Sequence, residues 1–186
     1  MKNLKLIALF VIPALILTSC SNEDTVVNEE EVITTVTTTL TGGGQVITLT
    51  SRDLDGDGPN APIVTVSGNL VSGTTYTGTT TFSNELADPA EDITAEILEE
   101  NLDHQVFYFL NATLGTVTYD PTDLDSEGNP IGLNFTLVAG TSGTTGTLTV
   151  TLRHLPNKTA PGVSDGSITN AAGNTDAEVY FPLTVN

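Results

Sequence analysis

Along the second half of the chain, apolar and polar residues alternate one for one. Leu133, Phe135 and Leu137 are interleaved with Asn134 and Thr136. Leu148, Val150 and Leu152 are interleaved with Thr149, Thr151 and Arg153, and Ala177, Val179, Phe181, Leu183 and Val185 carry the pattern to the end. A period of two puts every apolar side chain on one side of an extended chain and would scatter them around a helix. These segments are therefore committed to strands with one buried and one wet face. Earlier segments read the same way. Residues 32–40 form a Thr/Val run with Val32, Val36 and Leu40 on one face. A Gly-rich turn at 41–44 leads to 45–51, with Ile47 and Leu49 inward, and the pair reads as a hairpin. Short strands are expected at 63–66 and 116–119, and a longer one at 75–83 with Tyr76 and Phe82 inward. Residues 105–110 are nearly all apolar, which predicts a central strand covered on both faces. About nine strands with turn signals between them predict an all-β fold. The expectation is an antiparallel β-sandwich of immunoglobulin-like type, with a closed barrel as the alternative.

One segment departs from this pattern. Asp88-Pro89-Ala90-Glu91 has the order of an N-cap, a proline at the first helical position and an acid at the third. Ile93, Ile97 and Leu98 follow at helical spacing. A short acidic helix over 89–102 is expected, with an irregular edge strand at 93–97 as the alternative.

The first 31 residues have a different character. Lys2 and Lys5 precede an apolar run from Leu6 to Leu17, followed by small residues and Cys20. This is the layout of a secretory signal, and its roughly 12 apolar residues fall short of the ~20 a membrane-spanning helix needs. Leu17-Thr18-Ser19-Cys20 resembles a bacterial lipobox, Leu-x-[Ser/Ala/Gly]-Cys. The resemblance implies cleavage before Cys20 and lipidation of its thiol, with a diacylglycerol thioether and an acylated (palmitate-type) amine. Cys20 is the only cysteine, so it has no disulfide partner in the chain. Two or three acyl chains suffice for stable anchoring, where one is marginal. Residues 21–31 are polar and acidic and read as a tether, whose ~11 residues span roughly 18 Å as a flexible coil. The organisation expected is a signal peptide at 1–19, a lipidated Cys20 with its tether at 20–31, and one β-sandwich domain at 32–186. Cys20-Ser21-Asn22-Glu23-Asp24 resembles the acidic surface-export signal of flavobacterial-type lipoproteins, and Asp24-Thr25-Val26 resembles their O-glycosylation motif.

Charge narrows the partners. The leader takes two lysines with it, so Arg52, Arg153 and Lys158 stand against 23 acidic residues, a formal −20. Such a surface repels nucleic acid and anionic headgroups and attracts divalent cations. If consecutive strands alternate in direction, the connections 52–62, 84–103, 120–131 and 156–176 fall at one pole. They are the long ones and hold most of the carboxylates, and both histidines, both arginines and Lys158 lie at the same pole. Long loops gathered on a rigid scaffold are where binding usually sits. Two of them are alike. Asp53-Leu54-Asp55-Gly56-Asp57-Gly58 opens like a calcium loop, and Asp123-Leu124-Asp125-Ser126-Glu127-Gly128 aligns with it. An EF-hand would need a bidentate Glu where Val64 stands, so a complete EF-hand is not expected. The candidate calcium ligands are Asp53, Asp55 and Asp57, or Asp123, Asp125 and Glu127. The competing reading is that Asp, Gly, Asn and Pro simply make turns.

Catalytic signatures are poor: there is no His-Glu-x-x-His and no phosphate-cradling Gly-Lys pair. An enzyme is not expected. Alternation places His154 on the inward face, and a transition-metal site would arise if His104 and His154 met near Asp120. As a whole the chain resembles small flavobacterial-type (Bacteroidota) cell-envelope lipoproteins. The resemblance rests on Cys20, on Val27-Asn28-Glu29-Glu30-Glu31-Val32-Ile33-Thr34-Thr35, on Arg52-Asp53-Leu54-Asp55-Gly56-Asp57-Gly58 and on Leu152-Arg153-His154-Leu155-Pro156-Asn157-Lys158. It implies an outer-membrane lipoprotein on the periplasmic face or the cell surface, with no known activity. The type 1 periplasmic binding fold attached to some such proteins needs alternating β and α units in two lobes, which this chain lacks. The functional expectation is a lipid-anchored binding or interaction module. A carbohydrate-binding or adhesive accessory is the second class, although no Trp and only four Tyr are available as a platform. A purely structural envelope protein is the third.

Overall fold

The computed structural model describes residues 31–56 and 58–186. The leader, Cys20, the tether up to residue 30 and Asp57 lie outside the described residues.

Nine strands form two antiparallel sheets among the described residues. The larger has the order β3-β2-β1-β4-β7-β6, built from β1 (Thr35–Gly42), β2 (Gln45–Arg52), β3 (Ile63–Val66), β4 (Thr75–Ser83), β6 (Gly115–Tyr119) and β7 (Asn134–Ala139). The smaller has the order β5-β8-β9, from β5 (His104–Leu110), β8 (Thr145–His154) and β9 (Asn174–Thr184). Side chains from both inner faces make one core. Val36, Leu40, Leu49, Phe82, Phe135 and Leu137 come from the larger sheet, and Val106, Leu148, Val150, Leu152 and Phe181 from the smaller. The molecule is a β-sandwich, as the alternation requires. Its strand order is informative. With β1, β4, β5, β6, β7, β8 and β9 taken as A to G, the sheets read ABED and CFG, the order of a constant-type immunoglobulin domain. The hairpin β2–β3 is inserted after the first strand and widens the ABED sheet past its usual edge.

Several sequence expectations need correction. The first strand starts at Thr35, and Val32 is exposed rather than inward. Val36, Thr38 and Leu40 form its buried face, and the turn tightens to Gly43-Gly44, both at positive φ, as a two-residue hairpin loop requires. The helix is shorter than 89–102: α1 spans Ile93–Glu99, and its N-cap is Asp92, whose carboxylate accepts from the Thr94 amide, not Asp88. The reason is that Glu91 exchanges backbone hydrogen bonds with Asn84, which holds the chain in a bridge until residue 92. Ile93 and Ile97 are buried as expected, and Leu98 faces out. Finally, β5 is an edge strand, not a central one. Its second face is covered by the long β8–β9 connection, which packs Val163 and Ala171 on Phe107. The cover stops short of Phe109, which is 71% exposed.

The strands alternate in direction, so the loops sort into two poles. Around one pole, the 69–74 segment, the 111–114 and 140–144 turns and the chain end bind one another through short backbone bonds, such as Gly73 to Ala139 and Gly140 to Leu114. The long connections meet at the other pole, where Leu155 donates to Asp103, Asp53 to Thr34, and Lys158 to Asn101. The chain enters the domain at this second pole, at Glu31.

Candidate metal centre

The two Asp-Leu-Asp loops do not come together. One joins β2 to β3 at one edge of the larger sheet and the other joins β6 to β7 at the opposite edge. Four strand spacings of ~4.8 Å put them about 19 Å apart. In the first, Asp53 Oδ1 accepts from the amides of Asp55 and Gly56. Asp55 Oδ2 accepts from the amide and side chain of Asn60. The Asn60 side-chain bond leads the causes that hold the exposed Asp55 carboxyl below its usual range. In the second loop the carboxylates turn inward. Asp123 Oδ2 accepts from the Asn134 amide at 2.6 Å, and Asp125 Oδ1 accepts from the amides of Glu127 and Asn129. The other Asp125 oxygen receives the Lys158 ammonium at 3.0 Å, and that ammonium also binds the carbonyls of Asn101 and Pro130. The second loop thus encloses a cation supplied by the chain itself. Glu127 stays exposed outside this arrangement. Asp120 lies apart, closing its own turn on Thr122.

The pole holds a cluster that sequence reading located only in part. His104 opens β5 and His154 closes β8, and the two are direct partners across the ladder. Both face inward by parity with Val106 and Leu152, and their ring centroids lie 4.7 Å apart. The carboxylates that meet them are Asp176 and Glu31, not Asp120. Asp176 gets there through a β-bulge: Leu152 pairs with Ala177 and Arg153 with Thr175, so Asp176 is skipped by the ladder. Strict alternation would have pointed it away from the core side that Ala177 and Val179 occupy. The extra residue re-aims it inward, which is what bulges beside functional sites commonly do. Glu31 arrives from the incoming chain, four residues before β1.

Four side chains therefore converge. His104 Nε2 lies 3.1 Å from Glu31 Oε1 and 3.8 Å from Asp176 Oδ2, and His154 Nδ1 lies 3.8 Å from Asp176 Oδ1. All are buried: the His104 side chain is fully inaccessible, and those of Asp176, Glu31 and His154 are 3%, 9% and 10% exposed. Neither His104 Nε2, His154 Nδ1 nor Glu31 Oε2 has a hydrogen bond of good geometry among the described residues. The far nitrogen of His104, Nδ1, faces the Glu100 carbonyl at 3.3 Å. A carbonyl only accepts, so Nδ1 carries the proton and Nε2 is left facing two carboxylates. Burial pulls the basicity of His104 down, but the Glu31 contact and charge, the Glu100 carbonyl and the Asp176 charge outweigh it and raise its pKa above the ordinary value.

Two grooves flank the cluster. One, of about 420 Å³, runs between the β1–β3 side of the larger sheet and β9, and includes Ile33, Val64, Asp53, Asp176 and Tyr180 in its lining. The other, of about 330 Å³, is lined by Glu31, Glu91, Glu96 and Glu100 among others.

The chain matches no protein-family model, no curated protein and no solved structure.

Proposed function

We propose that the protein is a lipid-anchored module of the cell envelope that acts by binding at its acidic pole. One observation carries this reading: the long loops, the buried histidine–carboxylate cluster and the point where the chain enters the domain share one end of a rigid sandwich. A tether of ~11 residues reaching roughly 18 Å would hold that end toward the membrane to which Cys20 is attached. An acidic pole facing anionic headgroups is repelled unless cations intervene. Calcium at the Asp53-Asp55-Asp57 loop would relieve the repulsion. The Asp123-Asp125-Glu127 loop is the weaker candidate, because Lys158 already neutralises Asp125.

The anchor is tested by Cys20→Ala, which should release the protein from the detergent phase. Equal partitioning of the variant and the wild type after leader removal would sink the lipoprotein reading. Calcium is tested by melting. Millimolar calcium should raise Tm, because a ligand held only by the folded form stabilises by RT ln(1 + [Ca]/Kd), about 2.7 kcal/mol at a hundredfold excess. Matched monovalent salt should not reproduce the rise, and Asp53→Asn with Asp55→Asn should remove it.

A second reading draws on Tyr180, a half-exposed ring on the wall of the larger groove. An aromatic beside an open groove is the minimum a sugar platform requires, and a glycan array distinguishes this carbohydrate-binding or adhesive reading from cation binding.

A further inference from the structure

We infer that His104, His154, Asp176 and Glu31 form a closed binding site for a borderline divalent transition ion of the zinc class, distinct from the calcium loops. The donor set decides the class of ion. Two imidazole nitrogens and two carboxylates suit zinc and its first-row neighbours, whereas calcium takes six to eight oxygens and no imidazole. The spacing agrees with this set. Zinc bonds of about 2.0–2.2 Å at tetrahedral angles place ligand atoms roughly 3.3–3.5 Å apart. The contacts of 3.1, 3.8 and 3.8 Å straddle that value, with Asp176 facing both histidines and Glu31 joining the set through His104. His104, His154 and Asp176 each offer one ligand atom within 4.8 Å of the others, and Glu31, Glu100 and His104 do so as well.

The outer shell is also in place. A zinc-bound histidine usually gives its far N–H to a carbonyl or carboxylate, which fixes the tautomer. The Glu100 carbonyl does this for His104 and turns the Nε2 lone pair toward Glu31 and Asp176. A buried ring nitrogen facing two carboxylates favours a positive species beside it, a metal ion or a proton, and the titration below distinguishes the two. The grooves on either side supply a route for one, and their carboxylates raise its local concentration.

With Glu31 as a fourth ligand beside the His104–His154–Asp176 group, the site would have the closed character of a structural centre. Three ligands come from the smaller sheet: His104 from β5, His154 from β8 and Asp176 from β9. The fourth, Glu31, comes from the chain leading into β1 of the larger sheet. A bound ion would therefore clasp the incoming chain to the opposite sheet at the pole where the tether arrives.

The test is a zinc titration of the chelator-stripped full-length chain by calorimetry at neutral pH, repeated with cobalt for its visible bands. The expected result is one ion per chain, with the intense visible absorption of a tetrahedral cobalt centre. His154→Gln and Asp176→Asn should each weaken binding at least tenfold. Asp53→Asn with Asp55→Asn should leave it unchanged, which separates this site from the calcium loop. Glu31→Gln lies outside the strands and should also weaken binding. If the folded wild-type chain, verified by its β-type circular dichroism, binds no zinc at micromolar concentrations, a proton on His104 holds the cluster together and the inference is overturned. Undiminished binding in His154→Gln, Asp176→Asn and Glu31→Gln would overturn it equally.

Discussion

The Lys158 ammonium lies 3.0 Å from Asp125 Oδ2, with the two side chains 5% and 0% exposed. Two backbone carbonyls, of Asn101 and Pro130, complete its surroundings. One bond network thus joins the β4–β5, β6–β7 and β8–β9 connections. Burial lowers the Lys158 pKa, and the charges of Asp125, Asp103 and Asp123 pull it back. Burial would raise Asp125, but the Asn129 amide and Lys158 hold it below its usual range.

The two partners are not equivalent, which gives the first prediction. Without Lys158, the Asp125 carboxylate keeps its bonds to the Glu127 and Asn129 amides. Without Asp125, a buried ammonium is left with carbonyls alone. Asp125→Ala should therefore cost about 3–5 kcal/mol, the range for stranding one half of a buried pair. Lys158→Met should cost about 1–3 kcal/mol, since it mainly leaves carbonyls unpaired. Urea unfolding of both variants checks this, and a larger loss for Lys158→Met would refute it.

The second prediction concerns Gly78 and Phe135, which face each other across β4 and β7. A Cβ on Gly78 would sit 2.3 Å from the Phe135 ring, and that ring also packs against Tyr108 with centroids 4.1 Å apart. Gly78→Ala should cost about 1–3 kcal/mol by overpacking. Phe135→Ala should cost about 3–5 kcal/mol. With the ring removed the clash disappears, so the double variant should be more stable than the sum of the two losses implies. Strict additivity in denaturant melts would contradict the contact.

The third prediction is a pH dependence. Glu85 Oε1 accepts from the Thr35 hydroxyl and Oε2 from Arg52 Nε, both at 2.7 Å. Those two bonds hold its carboxyl below the ordinary value of 4.5. A carboxyl with a depressed folded pKa contributes stability that is full above the unfolded value and is lost as pH falls through the folded one. The Tm advantage of the wild type over Glu85→Gln should be steady at neutral pH and shrink below 4.5. The effect should be small, because the pair is solvent-screened. An advantage that stays constant into acid would rule out the linkage.

How much of this was legible in the sequence varies by residue. Alternation placed Phe135, Leu137 and Leu148 inward correctly, because each sits in an unbroken ladder, and Leu152 as well, because the bulge falls just after it. The same parity put His154 inward, and its cross-strand partner proved to be His104. Asp176 was not legible, since a bulge reverses the face that counting assigns. Glu31 looked like the end of a charged tether, and nothing in the sequence tells a solvated acid from one folded back onto a histidine. Lys158 was one of five Lys and Arg residues in an acidic chain, and only the folded loops reveal what it neutralises. The expected central strand at 105–110 failed for a related reason: hydrophobicity on both faces reports cover, and the cover here is a loop rather than another strand.

The last prediction follows from a polar chain through the interior. Thr38 Oγ1 and Thr80 Oγ1 are 2.8 Å apart, Thr80 Oγ1 is 2.9 Å from the Tyr108 hydroxyl, and that hydroxyl is 2.8 Å from the Gly132 carbonyl. Both threonines are fully buried. The Gly132 carbonyl can only accept, so it takes the Tyr108 proton. The Tyr108 oxygen then accepts from Thr80, and Thr80 accepts from Thr38. The chain has one direction and links both sheets. Thr80→Val breaks it in the middle and strands the Thr38 hydroxyl, at a cost of about 1–3 kcal/mol. Thr38→Val removes only the first donor and should cost less. Once Thr80 is Val, the Thr38 hydroxyl has lost its partner, so removing it as well should cost nothing more or restore some stability. The double variant should therefore unfold at a denaturant concentration equal to or above that of Thr80→Val alone. Burial raises the Tyr108 pKa well above its ordinary value, so the hydroxyl keeps its proton and this ordering should hold across the neutral and mildly alkaline range. Additive losses in the double variant would mean that the two threonines act independently.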